Sequence, residues 1–480
     1  MQPMVDMNFI KPQKGLTVRP GENNMVFHHL KKYPHNLEKY LVALSFIFFG
    51  LTFAQQPSDE KLDPKTFSSF LGTYKFDSGE LITIGRTERR LYYFEPESGK
   101  LRGLEKVNET TWNAGPSLLV YTPVEDELTF TKNSNGIVTS LIRKTPNSSK
   151  QVALKTDLYK EEEVSFKNKD VTIAGTLLSP STRGPHPAVV FLHGSGPQDR
   201  NGYVSLIRIT ADYFARNGIA TLIYDKRGCG SSTGNWETAT FDDLALDAIS
   251  GMKSLQKRKD IHPDRIGFWG SSQAGWIMAK ATTFSKDIAF IVSVSAGGSG
   301  FTVAEQELFN VETEMRANDF SDAEIAEVLT SRKLLFDFVR TGEATTYDAA
   351  LLKARTKERI KDWLTPPSTE IDRNKRDQWF LALDIDFDPV PAWRQYSGPV
   401  LAVFGELDSS TPVTQVVPKL SNALAARPNT DFTIKVFPKA HHLILEAKTG
   451  SDKELEFLKR YVPGYFTLML NWIQTRFLAS

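Results

Sequence analysis

One cysteine, Cys229, stands in 480 residues, so no disulfide can close within the chain and no cysteine cluster can hold a metal. Surplus charge is missing too: 58 Lys plus Arg face 57 Asp plus Glu, a formal net charge of +1. That balance leaves no electrostatic footprint for nucleic acid or an anionic membrane, so neither is expected as a partner. Neither a His-Glu-x-x-His pattern nor a clustered Cys/His spacing of the metal-binding kind occurs, and no structural metal is expected. What is present is ordinary for a folded chain: 40% hydrophobic and 24% charged residues, enough to build a core and unlike a disordered protein. At ~150 residues per domain the length allows about three domains, or one large α/β domain with an appendage.

Residues 41–54 (LVALSFIFFGLTFA) make a 14-residue run without charge, preceded by Lys31, Lys32 and Lys39. The run is shorter than the ~20 residues a helix needs to cross a bilayer. A basic flank, an apolar stretch and small residues at Thr52 and Ala54 read as a secretory signal. Residues 1–54 are therefore expected to be a signal peptide, with the true start at Met25 and the mature chain beginning near Gln55. An uncleaved anchor is the alternative. No cysteine follows the run, so a lipid-modified N-terminus is not expected. The mature protein is expected to be periplasmic or secreted and free of the membrane.

Residues 66–145 have a texture of their own. Short β-rich runs at 81–84, 91–94, 118–121 and 128–130 are punctuated by Ser78-Gly79, Ser98-Gly99 and Asn135-Gly136. Such spacing predicts a small antiparallel barrel or sandwich. Its aromatics, Phe70, Tyr74, Tyr92, Tyr93, Phe94, Trp112 and Phe130, are expected to form its core.

From residue 160 onward the pattern changes. A leading hairpin at 164–166 and 171–178 is followed by apolar runs at 188–192, 219–224, 265–269, 288–294, 400–404 and 432–437. Helical patterns separate them at about 205–217, 241–258, 273–284 and 413–426, with a last one near 463–478. Strands alternating with helices predict a mostly parallel sheet with helices on both faces. In such sheets the chemistry sits on loops at the carboxyl ends of the strands.

Gly270-Ser271-Ser272-Gln273-Ala274-Gly275 follows one apolar run directly and precedes a helical pattern. A nucleophilic serine on a tight strand-to-helix turn needs small neighbours, which Gly270, Ala274 and Gly275 supply. The same turn aims the backbone N–H of Gln273 toward a developing oxyanion. Ser271, one residue away, is expected to point elsewhere. Gly230-Ser231-Ser232-Thr233-Gly234 matches G-x-S-x-G more closely, yet a polar loop follows it rather than a helix. Context therefore favours Ser272 over Ser232.

The mature chain offers five histidines as a base: His186, His193, His262, His441 and His442. His186 and His262 sit at the wrong end of the sheet. His193 opens His193-Gly194-Ser195-Gly196-Pro197, a turn suited to presenting the Ser195 N–H as a second oxyanion donor, with the imidazole structural. The base is then in the pair His441-His442. Neighbours in an extended segment point to opposite sides, so only one of the two can face Ser272. Gly405-Glu406-Leu407-Asp408, after the run at 400–404, supplies an acid at Asp408, with Glu406 as the alternative.

Residues 160–480 resemble α/β-hydrolases of the secreted or periplasmic bacterial serine esterase type. The resemblance rests on Gly175-Thr176-Leu177, His193-Gly194-Ser195-Gly196-Pro197-Gln198-Asp199-Arg200, Asp225-Lys226-Arg227-Gly228, Gly270-Ser271-Ser272-Gln273, Gly405-Glu406-Leu407-Asp408 and Pro438-Lys439-Ala440-His441-His442. It implies an α/β-hydrolase fold and a triad of Ser272, Asp408 and His442, in the chain order Ser, Asp, His. It further implies cleavage of small-molecule carboxylic esters without a cofactor, and places the base at His442, which leaves His441 to face solvent or the cap. Ala274 and Lys439 depart from the glycines commoner there, and Asp225 and Arg227 are expected to be structural. Residues 66–145 resemble the lipocalin-like accessory domains of some secreted serine hydrolases. A peptidase of the prolyl oligopeptidase type is the alternative activity, although 66–145 lacks the length and repeats of a propeller. A catalytically idle binding protein would have lost a triad member.

The parallel sheet does not need residues 301–395, whose pattern is helical and rich in aromatics. They are Phe301, Phe309, Phe320, Phe336, Phe338, Trp363, Trp379, Phe380, Phe387 and Trp393. This segment is expected to cap the nucleophile. Its aromatics either line an acyl pocket or, for the most part, form the cap's own core.

Overall fold

The computed structural model describes residues 67–87, 90–146, 148–371 and 385–478. The expected signal peptide, 1–54, lies outside the described residues, as do Trp379 and Phe380. Among the described residues no helix is long and apolar enough to cross a membrane.

The first body is a closed antiparallel barrel of eight strands. They are β1 (Gly72–Phe76), β2 (Leu81–Arg86), β3 (Leu91–Phe94), β4 (Leu101–Lys106), β5 (Thr111–Ala114), β6 (Asp126–Lys132), β7 (Val138–Lys144) and β8 (Gln151–Thr156). Alternation drives it: along β6, Asp126, Leu128 and Phe130 are buried while Glu127 and Thr129 are partly covered. Tyr74, Trp112, Leu128, Phe130 and Leu141 pack into one cluster, and Phe70 and Phe130 meet edge to face at 4.8 Å. Five of the seven expected aromatics thus fill the barrel, whereas Tyr92 and Phe94 belong to a separate cluster with Phe214 and Phe466, because they lie on the outward side of β3. β8, which closes it by pairing with β1, lies beyond the 66–145 stretch marked by the sequence. Only Ala153 of β8 is buried, and Val152 and Leu154 are 48% and 60% exposed. That strand carries almost no inward hydrophobic signal.

The second body is an eight-stranded sheet. Its strands are β9 (Tyr159–Asn168), β10 (Val171–Pro180), β11 (His186–Leu192), β12 (Ala220–Tyr224), β13 (Ile261–Ser271), β14 (Ile291–Val294), β15 (Val400–Gly405) and β16 (Phe432–Phe437). Their order is β16-β15-β14-β13-β11-β12-β10-β9. β9 and β10 are antiparallel, and every pair among the rest is parallel. After β11 the chain steps to β12 on one side and then back across to β13 on the other. A reversal of this kind opens a crevice at the carboxyl ends of β11 and β13.

Helices cover both faces: α1 (Leu206–Ala215), α2 (Phe241–Gln256), α3 (Ala274–Phe284), α8 (Val413–Ala425) and α9 (Tyr465–Phe477). Successive side chains of a strand serve opposite cores. Ala188, Val190 and Leu192 of β11 pack with α2, α3 and α8, whereas Val189 and Phe191 pack with α1 and α9. The segment between β14 and β15 holds α4 (Val303–Ala317), α5 (Asp322–Thr341), α6 (Thr345–Ala354) and the short α7 (Val390–Gln395). Capping boxes start α4 at Thr302/Glu305 and α5 at Ser321/Glu324.

Candidate active site

Ser272 follows β13 with φ at 55°, in the left-handed region that a serine rarely occupies. Such strain costs on the order of 1–3 kcal/mol and persists only where the surroundings over-determine it. Here they do. The Ser272 N–H donates to the Val294 carbonyl at 3.2 Å, and the Ser272 carbonyl accepts from Gly275 N at 3.1 Å and Gly297 N at 3.0 Å. A Cβ on Gly270 would lie 2.5 Å from that of Ala274, and one on Gly275 only 1.7 Å from the Gly297 carbonyl oxygen. Ala274 is tolerated because Gly270 has no side chain. α3 starts at once, with Gln273 at its N-cap, so the partial positive charge of the helix terminus falls beside the Ser272 hydroxyl.

Ser195 sits in the loop after β11, and three carbonyls there are held from the side. Buried Lys226 donates from Nζ to the carbonyls of Gly194 at 2.7 Å and Gly196 at 2.5 Å, while Gln198 Nε2 donates to that of Ser195 at 2.6 Å. His193 is buried against the edge of Tyr224, with ring centroids 4.8 Å apart. Burial, reinforced by the charge of Lys226, pushes its imidazole down to about 3, so the ring is neutral.

In the loops after β15 and β16, His442 Nδ1 lies 2.8 and 2.9 Å from the two carboxylate oxygens of Asp408. Oδ1 of Asp408 also accepts from the N–H groups of Ser410 at 2.9 Å and Thr411 at 2.8 Å. Those bonds fix the carboxylate, which in turn orients the ring. Glu406 accepts from Lys439 N at 3.0 Å instead. His441 does not face solvent: it is 2% exposed, and its Nδ1 accepts from Leu443 N at 3.1 Å. The reason is local. Residues after β16 do not stay extended but fold into a turn, with Lys439 and Ile444 at positive φ and an isolated bridge between Ala440 and Glu446. The alternation rule for strands does not reach that far.

The remaining candidates have structural roles. Ser232 Oγ donates to the Asp225 carbonyl at 2.7 Å and accepts from Ala174 N at 2.9 Å. Asp225 pairs with Arg200, and Arg227 forms a buried two-point bridge to Asp247. His186 Nε2 lies 3.1 Å from the Thr182 carbonyl oxygen, at the far end of β11.

Ser195, Ser272 and Gln273 line one cleft of about 430 Å³, counted to its open mouth. Phe241 and Trp276, stacked at 6.0 Å, supply its apolar lining together with Val303. Ser410, two residues after Asp408, lines it too, whereas Ser271 is not part of its wall. None of the eight described aromatics singled out in 301–395 lines it. Phe320, Trp363 and Phe338 pack within the helical segment, and Phe301, Phe336, Phe387 and Trp393 join the core beneath the sheet. The wall from that segment is polar instead: Gln306, Glu307 and Asn310 of α4. Sequence reasoning missed these three and Lys226. The i, i+3, i+4, i+7 spacing from Val303 marks one helix face, but not what that face meets. Among the described residues no group of three or more His, Cys, Asp or Glu is placed to hold a metal ion.

A model of the alpha/beta hydrolase family matches residues 189–450, from within β11 to beyond His442. Acyltransferase drtE of Aspergillus calidoustus is 34% identical over 152 residues, covering 30% of this chain and 46% of that protein. Esterase EstD of Thermotoga maritima is 30% identical over 128 residues, 25% of this chain and 31% of the esterase. Putative hydrolase YtaP of Bacillus subtilis is 33% identical over 114 residues, 20% of this chain and 38% of its own. The chain thus spans between 31% and 46% of the length of these relatives. Among solved structures, the alpha/beta hydrolase GrgF from Penicillium sp. sh18 aligns over 67% of this chain and 100% of its own, at 18% identity and a TM-score of 0.42.

Proposed function

Because the chain belongs to the alpha/beta hydrolase family, we propose that it is a serine hydrolase that cleaves carboxylic esters through an acyl-enzyme. The observation that carries this reading is the strained backbone of Ser272 at the head of α3. In the first half-reaction Ser272 Oγ attacks the acyl carbonyl carbon, and its proton passes to His442. Asp408 holds the imidazole in the tautomer that accepts it and offsets the charge that forms. The N–H groups of Ser195 and Gln273 receive the oxyanion. Collapse breaks the ester C–O bond, and the alkoxide leaves with the proton held by His442. Water then repeats the sequence on the acyl-serine and releases the acid.

Export after cleavage near residue 54 belongs to the same proposal and is supported by the charge-free run at 41–54. A test of the chemistry combines turnover of p-nitrophenyl acyl esters and dipeptidyl amides with fluorophosphonate labelling. Ser272→Ala is expected to abolish labelling and lower ester turnover roughly 10³-fold or more, and Ser232→Ala to leave labelling in place. Label found on Ser232, or amides cleaved in preference to esters, would overturn the assignment.

A further inference from the structure

α4 turns Val303, Gln306, Glu307 and Asn310 into the cleft, facing Ser272 and Gln273. A helix laid over a core ordinarily presents an apolar stripe. This one presents mainly polar groups, and it buries them: Gln306 is 6% and Glu307 2% exposed. Gln306 donates from Nε2 to the Ser410 carbonyl and, at 3.4 Å, to Thr411 Oγ1. Its amide is thereby oriented, with Oε1 left on the other side without a protein donor. Glu307 Oε1 faces Arg332 Nη1 of α5 at 3.5 Å, too long for a good hydrogen bond, and no other donor among the described residues reaches it. Across the cleft, Oε1 of Gln273, itself 4% exposed, also lacks a protein donor.

These three buried oxygens belong to residues of one cleft wall or the other, and all are acceptors. A ligand that completes them must donate. Charge narrows the choice between a hydroxyl and an ammonium. Burial pushes the Glu307 carboxyl up to about 8 against the opposing pull of Arg332. That shift favours the neutral carboxyl, whose Oε1 still accepts while its other oxygen carries the proton, and the charge behind it is that of Arg332. An ammonium would be repelled there, and a neutral hydroxyl would not. The stacked Phe241 and Trp276 offer apolar surface to a hydrocarbon part in the same cleft.

We propose that the cleft selects esters bearing a hydroxyl group near the scissile bond, with Gln306 and Glu307 as specificity-determining acceptors on α4. This rests on the hydrolase reading above. A site built to bond a hydroxyl rejects the analogue that lacks it far more strongly than an apolar pocket rejects a missing methylene. Two matched pairs test the idea: methyl 3-hydroxybutyrate against methyl butyrate for the acyl side, and glyceryl monobutyrate against propyl butyrate for the alcohol side. In the wild-type protein the hydroxylated member of at least one pair is expected to lead in kcat/KM by about tenfold or more. The preference is expected to shrink at least threefold in Gln306→Met. The same is expected in the double variant Glu307→Met/Arg332→Met, which removes the carboxyl without stranding the buried guanidinium. Gln306→Met keeps the test sharp should the double variant fail to fold. Turnover of both members of each pair with less than a tenfold preference, or an undiminished preference in folded variants, overturns the subsite and leaves the hydrolase reading intact. If neither these esters nor p-nitrophenyl acetate is turned over, the hydrolase reading falls and takes the subsite with it.

Discussion

Lys226 shows how one side chain can control another residue's backbone. It is 1% exposed, and its ammonium bridges the carbonyls of Gly194 and Gly196. The Gly194 carbonyl and the Ser195 N–H belong to one planar trans peptide and point in opposite directions. Holding the first aims the second, and the nearby positive charge polarises the unit. Lys226→Met is expected to lower kcat on p-nitrophenyl acetate roughly 10²-fold with KM changed less than about threefold, the signature of a donor felt mainly in the transition state. A rise in KM at constant kcat would assign Lys226 to substrate binding instead. His193, its neighbour in this loop, carries a pH dependence. Its folded value of about 3 lies below the ordinary 6.5, so between those values the unfolded chain holds a proton that the folded chain does not. Its contribution to stability is complete above pH 6.5 and is lost as pH falls toward 3. His193→Asn should therefore lose less stability between pH 7 and 4.5 than the wild type, by on the order of 2 kcal/mol in urea unfolding. Parallel pH profiles for the two proteins would refute this.

At the scale of elements, the turn joining β13 to α3 is held by close backbone approach. Gly275 lets α3 lie directly on the Gly297 carbonyl, where an added Cβ would stand at 1.7 Å. Gly297 in turn donates to the Ser272 carbonyl, so displacing the helix also releases the strained serine. Overpacking of this kind costs typically about 1–3 kcal/mol, and more where backbone cannot move. Gly275→Ala is expected to lower the melting temperature by several degrees or more and to slow fluorophosphonate labelling of whatever remains folded. Unchanged melting with normal labelling would mean that the loop at 296–298 yields more easily than its contacts imply.

At the scale of the molecule, the barrel is bound to the hydrolase body by a shared core. Tyr92, Phe94, Leu101 and Leu118 join the cluster formed by α1 and α9, and Phe94 packs on Phe466 and Tyr461 at 5.2 and 5.9 Å. Polar contacts surround it: Arg102 Nη1 donates to the Lys459 carbonyl at 2.7 Å, and Arg216 Nη2 donates to Thr83 Oγ1 at 2.8 Å. An apolar interface of this kind couples two bodies, so calorimetry should show one endotherm. Phe94→Ala should shift the whole endotherm, at a cost of roughly 3–5 kcal/mol. Two separate transitions in the wild-type protein would show that the shared cluster does not couple them.

What the sequence determined by itself is what neighbouring residues encode. The apolar runs and the helical periods between them placed the parallel sheet and its helices, because side-chain period and hydrophobic run length are local properties. The strand–turn–helix at Ser272 was legible for the same reason: small residues beside a serine have only a few backbone solutions. Only the tertiary structure decided the rest, since it depends on where distant segments meet. β8 announces itself by pairing with β1, not by its own pattern. His441 is buried because the chain turns after β16 instead of running on. Lys226 finds its carbonyls about thirty residues upstream, and Gln306 finds Ser410 about a hundred residues downstream. Which face of α4 meets the cleft follows from how that helix seats over the sheet, and no residue within α4 carries that information.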